Sequence, residues 1–233
     1  MLKRITDAIP NTITCLNLIS GCVAIFMAFH LHETIGGLTG GTWAIIAIAM
    51  AALFDFLDGA AARLFKAVSA IGKDLDSLSD LVSFGVAPAM LMLNTMTANG
   101  SSLWAAAPCL LIPAFGAIRL AIFNNDTQQS TTFRGLPIPA NAIFWIGMYG
   151  WIGRYFYPGA GVIWVLIALL CWAMVGKFKM FSLKFKNLDF YENFCRYVII
   201  VAAIIFVAMY GLAGLAWTIL LYFLLSYLRQ NRI

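Results

Sequence analysis

The sequence predicts an all-α integral membrane protein with about eight transmembrane helices. Three observations lead there. The 233-residue chain is 62% hydrophobic and only 11% charged, with a mean hydropathy of +0.88, which leaves too little polar surface for a water-soluble domain. Its apolar residues fall into eight continuous runs, each close to the roughly 20 residues that cross a bilayer. Its 15 Lys and Arg residues are distributed asymmetrically: with the N-terminus inside, fourteen fall on the cytoplasmic side and only Arg154 on the other. Backbone amides in lipid have no water to bond, so the runs must be helices, and their continuity excludes the alternating pattern of a transmembrane barrel.

The elements follow in order. Residues 1–11 are polar enough for a short interfacial segment. Lys3 and Arg4 precede an apolar run as in a signal peptide, but the run is long and no small-residue cleavage site follows, so about 12–31 is read as a retained first helix. The second helix covers about 43–63 and the third about 77–97, joined by a short cytoplasmic turn containing Gly72. "ANGSS" leads to a fourth helix over about 102–123. A longer cytoplasmic loop, 124–138, precedes the fifth and sixth helices at about 139–156 and 160–177. A second long loop, 178–193, precedes a C-terminal pair at about 194–211 and 213–229, joined by "GLAG". An even helix count places both termini in the cytoplasm. The whole of 1–233 reads as one transmembrane domain without a soluble appendage or internal repeat. The five cysteines are scattered without a C-x-x-C pair and read as packing thiols. The net charge of +5 becomes a cytoplasmic surface property suited to anionic lipid headgroups, with no reason to invoke nucleic acid.

One stretch is out of keeping with a bilayer. Of 10 acidic residues, five lie between Asp55 and Asp80: Asp55, Asp58, Asp74, Asp76 and Asp80. Asp55 and Asp58 are three apart and share a face of the second helix. Asp76 and Asp80 are four apart and share a face at the start of the third. A helix, a turn and a helix bring the two pairs together, while Asp74 lies off that face and is solvated. Four converging carboxylates repel one another, and a hard divalent cation (Mg²⁺, Mn²⁺ or Ca²⁺) is the natural compensation. The bland alternative is ordinary charge at helix ends. Gly59-Ala60-Ala61-Ala62 forms a wall without bulk that a ligand or a neighbouring helix could approach closely, and Arg63 beside it suits a phosphate. Metal, wall and arginine together describe a diphosphate site for phosphoryl transfer.

Asp55-x-x-Asp58-Gly59-x-x-Ala62-Arg63, eight residues, then Gly72-x-x-x-Asp76-x-x-x-Asp80 resembles the complete signature of the CDP-alcohol phosphotransferases. The resemblance implies a six-helix core, to which the last two helices are an addition, and a homodimer. It implies a membrane enzyme that passes a phosphatidyl group from a CDP-linked lipid to an alcohol and releases CMP. Asp55, Asp58, Asp76 and Asp80 are then the ligands of two divalent ions, Mg²⁺ or Mn²⁺, with Asp80 also the general base. Gly59 and Arg63 match the signature as contacts of the CDP-lipid, and Ser69, Asn11 and Thr14 are carried over with them. Asn11 and Thr14, three apart in "PNTITCLN", could also face one ligand from the residues alone, or Asn11 could merely cap the helix.

Further motifs narrow the acceptor. Arg119-Leu120 with Phe123-Asn124, then Gly135-Leu136-Pro137, and later "MFSLKFK" from Met180, resemble the membrane-type phosphatidylserine synthases of bacteria and archaea. Motifs thus run from about residue 10 to 186. The implied substrates are CDP-diacylglycerol and L-serine at the cytoplasmic face of a prokaryotic cytoplasmic membrane, with Arg119 and Asn124 as acceptor-binding residues. Arg119 could instead snorkel to the interface. Glycerol 3-phosphate or an inositol phosphate remains open as acceptor. A divalent-cation transporter is the alternative from another class, but it would need polar groups continuing across the membrane, and here the acids gather at one face.

Overall fold

The computed structural model describes residues 2–66, 69–125, 133–181 and 189–229. Contacts within the chain gather in two compact units, one ending at Ala117 and the other beginning at Ile118.

The first unit is built on α1 (Leu2–Ala28) and α2 (Gly40–Leu64), which pack along each other. Small residues make this possible: Ala24 and Ala28 on α1, and Gly40, Gly41, Ala44, Ala47 and Ala51 on α2, are buried. Without a hydrophobic drive between helices in lipid, such close backbone packing is the main source of association. Between these helices lies a two-residue hairpin that the sequence reading did not anticipate. Strands β1 (Thr34–Ile35) and β2 (Leu38–Thr39) pair across Gly36 and Gly37, both at positive φ, as a hairpin turn of this kind requires.

The third helical stretch is continuous over Ala70–Ala98 but not uniform. It comprises α3 (Ala70–Asp80), a π-helical turn over Leu81–Val86, and α4 (Ala87–Ala98). After it come α5 (Leu103–Ala106), a short 3₁₀ turn over Ala107–Leu110, and α6 (Leu111–Asn125), which runs past the boundary between the units.

Three expectations need correction. Residues 1–11 are not a separate interfacial segment, because α1 is helical from Leu2 and carries Pro10 inside it. The third helix begins at Ala70, well before residue 77. Consequently Gly72 lies in its first turn, and Asp76 and Asp80 lie in its second half. The physical reason is local: Ser69 Oγ accepts the Gly72 N–H at 3.0 Å and caps the helix, while Lys73, Asp74 and Asp76 hide it from a hydropathy reading.

The second unit contains α7 (Ile138–Arg154), α8 (Ala160–Val175), α9 (Phe190–Tyr210), a 3₁₀ turn over Gly211–Ala213 and α10 (Gly214–Arg229). Here α10 packs on α7 and α9; Gly147 lies against the Ala216 backbone, where a Cβ would collide. Strands β3 (Phe133–Arg134) and β4 (Lys179–Met180) pair antiparallel and tie the two long loops together.

The eight apolar runs are thus all helical, and the protein is a multi-span all-α membrane protein. Among the described residues five helical stretches are long and apolar enough to cross a membrane: Ala8–Ala28, Gly40–Leu64, Ala70–Ala98, Leu103–Asn125 and Asn193–Leu228. The last includes both α9 and α10. Ala160–Val175 is apolar but shorter, and α7 has 17 residues.

Candidate active site

The carboxylates converge. One oxygen from each of Asp55, Asp76 and Asp80 lies within 4.8 Å of the others. At such a separation each pair of ionised carboxylates repels by roughly 3–4 kcal/mol at an effective dielectric of about 20. Asp58, expected as the fourth member, is not one of this trio; it lines a cleft together with Asp76. It is only 6% exposed, and its Oδ2 is buried without a hydrogen-bond partner. Asp74 is exposed, as expected.

Three crowded carboxylates, and in the adjoining cleft a buried Asp58 oxygen without a partner among the described residues, make a donor set suited to a cation. All four groups are hard oxygen donors, which suit Mg²⁺ or Mn²⁺ and do not favour a soft metal. The residues therefore fit a divalent metal, and the cluster could hold one.

The cleft is built from α1, the end of α2 and the start of α3. Pro10, Asn11, Thr14, Asp58, Gly59, Ala62, Ser69, Gly72, Lys73 and Asp76 line it. Four residues expected at the CDP-lipid, namely Asn11, Thr14, Gly59 and Ser69, are thus brought together. Arg63 is not among the lining residues. It is exposed, with Nη1 3.6 Å from where a Gly59 Cβ would stand.

Gly59 also answers the question of the small-residue wall. Apart from Arg63 Nη1, a Cβ there would meet nothing within 4 Å. Among the described residues no other helix packs onto this position, so its openness belongs to the cleft. Gly72 differs: its Cβ would stand 3.0 Å from Ser69 Oγ and 3.1 Å from Asn11 Oδ1, so glycine lets these polar groups close over the helix start. Thr14 and Ser69 also have local duties, since Thr14 Oγ1 donates to the Pro10 carbonyl at 3.0 Å and Ser69 caps α3.

Sequence reasoning passed over the residues that fasten α1 to the acids. Asn17 is fully buried, and its Nδ2 donates to Asp80 Oδ1 at 3.4 Å. Ser79 Oγ donates to the Thr14 carbonyl at 3.2 Å, and Ser83 Oγ to the Asn17 carbonyl at 3.0 Å. Gly21 allows this approach, for its Cβ would collide with Ser83 Oγ and stand 2.9 Å from Ser83 Cα. A signal existed: Ser79 and Ser83 are four apart and so share one helix face. The π turn directly after Asp80 had no such signal. It shifts the facing of everything beyond it, and such turns occur often at functional sites.

Arg119, in the second unit, does not snorkel. It is 4% exposed, its Nε has no hydrogen-bond partner among the described residues, and its guanidinium lies 5.3 Å from the centre of the Phe123 ring. Asn124 is half-buried. The two loop motifs meet through the β3–β4 pairing and through Gly135, whose N–H bonds the Phe178 carbonyl at 2.9 Å. Gly135 has φ +74°, and a Cβ there would strike the Met174 carbonyl. Of "MFSLKFK", Met180 and Phe181 are buried, and 182–186 lie outside the described residues.

Comparison with known proteins bears on this geometry. The chain is 34% identical over 190 residues to the CDP-diacylglycerol–serine O-phosphatidyltransferase of Methanocaldococcus jannaschii, covering 72% of this chain and 84% of that protein. It is 35% identical over 172 residues to the archaetidylserine synthase of Methanothermobacter thermautotrophicus, covering 72% and 69%. Against the CDP-diacylglycerol–serine O-phosphatidyltransferase of Mycobacterium leprae the identity is 38% over 147 residues, covering 60% of this chain and 46% of that longer protein. The family model for CDP-alcohol phosphatidyltransferases matches residues 7–176, a stretch that holds the four aspartates, the cleft and Arg119. With a match over most of its length and the acids gathered as that chemistry requires, the chain belongs to the CDP-alcohol phosphatidyltransferase family.

Proposed function

We propose that the protein transfers the phosphatidyl group of CDP-diacylglycerol to L-serine, giving phosphatidylserine and CMP. The observation that carries this reading is the gathering of Asp55, Asp76 and Asp80 within 4.8 Å, beside a cleft left open at Gly59. The names of the relatives support serine as the acceptor.

Asp55, Asp58, Asp76 and Asp80 would hold two divalent ions, Mg²⁺ or Mn²⁺, which would supply charge neutralisation at the diphosphate and Lewis-acid polarisation of the phosphorus. The open wall at Gly59 admits the diphosphate close to the α2 backbone, and Arg63 offers it a guanidinium. Asn11, Thr14 and Ser69 supply polar contacts along the cleft. Asp80 takes the proton of the serine hydroxyl as the new oxygen–phosphorus bond forms and the bond to CMP breaks. Asn17 holds one oxygen of Asp80 and leaves the other to do this. Arg119 receives the serine carboxylate, and Asn124 assists it. The site and both termini face the cytoplasm, and the enzyme works as a homodimer.

The test is CMP release by purified protein with CDP-diacylglycerol and Mn²⁺ or Mg²⁺, run in parallel with serine, glycerol 3-phosphate and inositol 1-phosphate. Release with serine is the expected result. Release only with a phosphorylated acceptor would move the protein to another activity within its family.

A further inference from the structure

Asn17 places an amide in the interior of the first unit, where a membrane helix ordinarily keeps carbon. It is fully buried, and its hydrogen bonding is only half satisfied. Nδ2 donates to Asp80 Oδ1 at 3.4 Å, while Oδ1 has no partner among the described residues. A half-satisfied buried amide is unfavourable, and an apolar side chain would fill the same space without that cost. Packing alone therefore does not account for an asparagine here.

Other bonds already hold the helices together. Thr14, Asn17 and Gly21 fall within about 60° of one another on one face of α1. Against that face Ser79 Oγ donates to the Thr14 carbonyl and Ser83 Oγ to the Asn17 carbonyl, and Gly21 lets the backbones close. Both serines bond main-chain carbonyls, so they fix the height of α1 against the third helical stretch whatever side chain stands at 17. The Asn17 amide is left to fix a carboxylate. Its bond to Oδ1 restrains the side-chain torsions of Asp80 and leaves Oδ2 to another partner. Nδ2 is a donor only, so it suits the ionised form that a base must have. It is also uncharged, so it holds Asp80 without cancelling the negative charge of the cluster.

We infer that Asn17 is a positioning residue for Asp80, serving the chemical step and not the binding of substrate or metal. It acts from α1, outside the residues that line the cleft. The inference rests on Asp80 being the base, as proposed above.

The experiment compares wild type with Asn17→Ala and Asn17→Val, which bracket the volume of the amide, and with Ser83→Ala, Asp80→Asn and the double variant Asn17→Ala/Asp80→Asn. CMP release gives kcat and both KM values, Mn²⁺ binding without substrate is followed by electron paramagnetic resonance, and thermal unfolding is measured in detergent. In both Asn17 variants kcat should fall about 10–10²-fold, as for a misplaced reacting group. The KM values for CDP-diacylglycerol and serine should stay within about twofold, and Mn²⁺ affinity within about threefold, because the effect is confined to the transition state. Ser83→Ala, which loosens the same seam without touching the carboxylate, should lower the thermal midpoint at least as far and cost less turnover. The double variant should match Asp80→Asn within about threefold, because Asn17 acts through Asp80. Asn17 variants that keep their turnover overturn the inference, as do variants whose main change is a raised KM or weakened Mn²⁺ binding. So does a loss of turnover that only follows thermal stability, as in Ser83→Ala, or a failure of both Asn17 variants to fold, since the amide then serves the fold. Additive losses in the double variant overturn it as well. Full turnover by Asp80→Asn overturns the reading of Asp80 as base, and the inference with it.

Discussion

At Asp76, replacing one oxygen by an amide nitrogen leaves volume unchanged and removes a negative charge from a crowded trio. Asp76→Asn should therefore fold normally in detergent yet lose turnover by at least about 10²-fold, as expected when a group that stabilises transition-state charge is disabled. CMP release measured beside a Mn²⁺ titration checks this, and near-normal turnover at saturating metal would contradict it. Asp80→Asn should separate two duties. Turnover should fall about 10²–10⁴-fold with loss of the base, while most CDP-diacylglycerol binding survives on Asp55, Asp58 and Asp76. Gly59→Leu should fold as well, since its Cβ meets only Arg63 Nη1, at 3.6 Å. The larger side chain should block CDP-diacylglycerol binding; an unchanged affinity would mean that the wall has no part in the site.

Among the elements, the contact of α1 with the third helical stretch decides where Asp80 stands. Ser79 and Ser83 bond α1 carbonyls, and Gly21 gives them room. Gly21→Leu should force the helices apart, at a cost of about 1–3 kcal/mol as in other overpacked interiors. Ser83→Ala removes only one hydrogen bond and should cost about 1 kcal/mol. Thermal unfolding in detergent ranks them, and the reverse order would contradict this account of the contact. Here too lies the limit of what the sequence made legible. Helices over long apolar runs and the pairing of Asp55 and Asp58 with Asp76 and Asp80 follow from hydropathy and helical spacing alone. The polar start of α3 escaped because Ser69 and the charges after it look like a loop. Gly21, Asn17 and the π turn after Asp80 acquire meaning only from partners distant in sequence. Gly36-Gly37 was readable as a hairpin turn from adjacent residues, but strands of two residues are too short to show the alternation that marks a strand.

For the molecule as a whole, orientation and chemistry are separate claims with separate tests. Fourteen of the 15 cationic side chains fall on one side when the N-terminus is inside. A C-terminal fusion to a reporter that fluoresces only in the cytoplasm should be bright, and a fusion at Gly159, in the connection after Arg154, should be dark. The opposite pattern would turn the active site to the other face. The chemistry is tested most directly by counting both products at once. Protein reconstituted with CDP-diacylglycerol, Mn²⁺ and radiolabelled serine should release one CMP for each serine that enters the lipid phase. A chelator should stop both, and added Mn²⁺ should restore both. CMP release without serine in the lipid, or transfer indifferent to the chelator, would contradict a metal-assisted transfer to serine at the aspartate cluster.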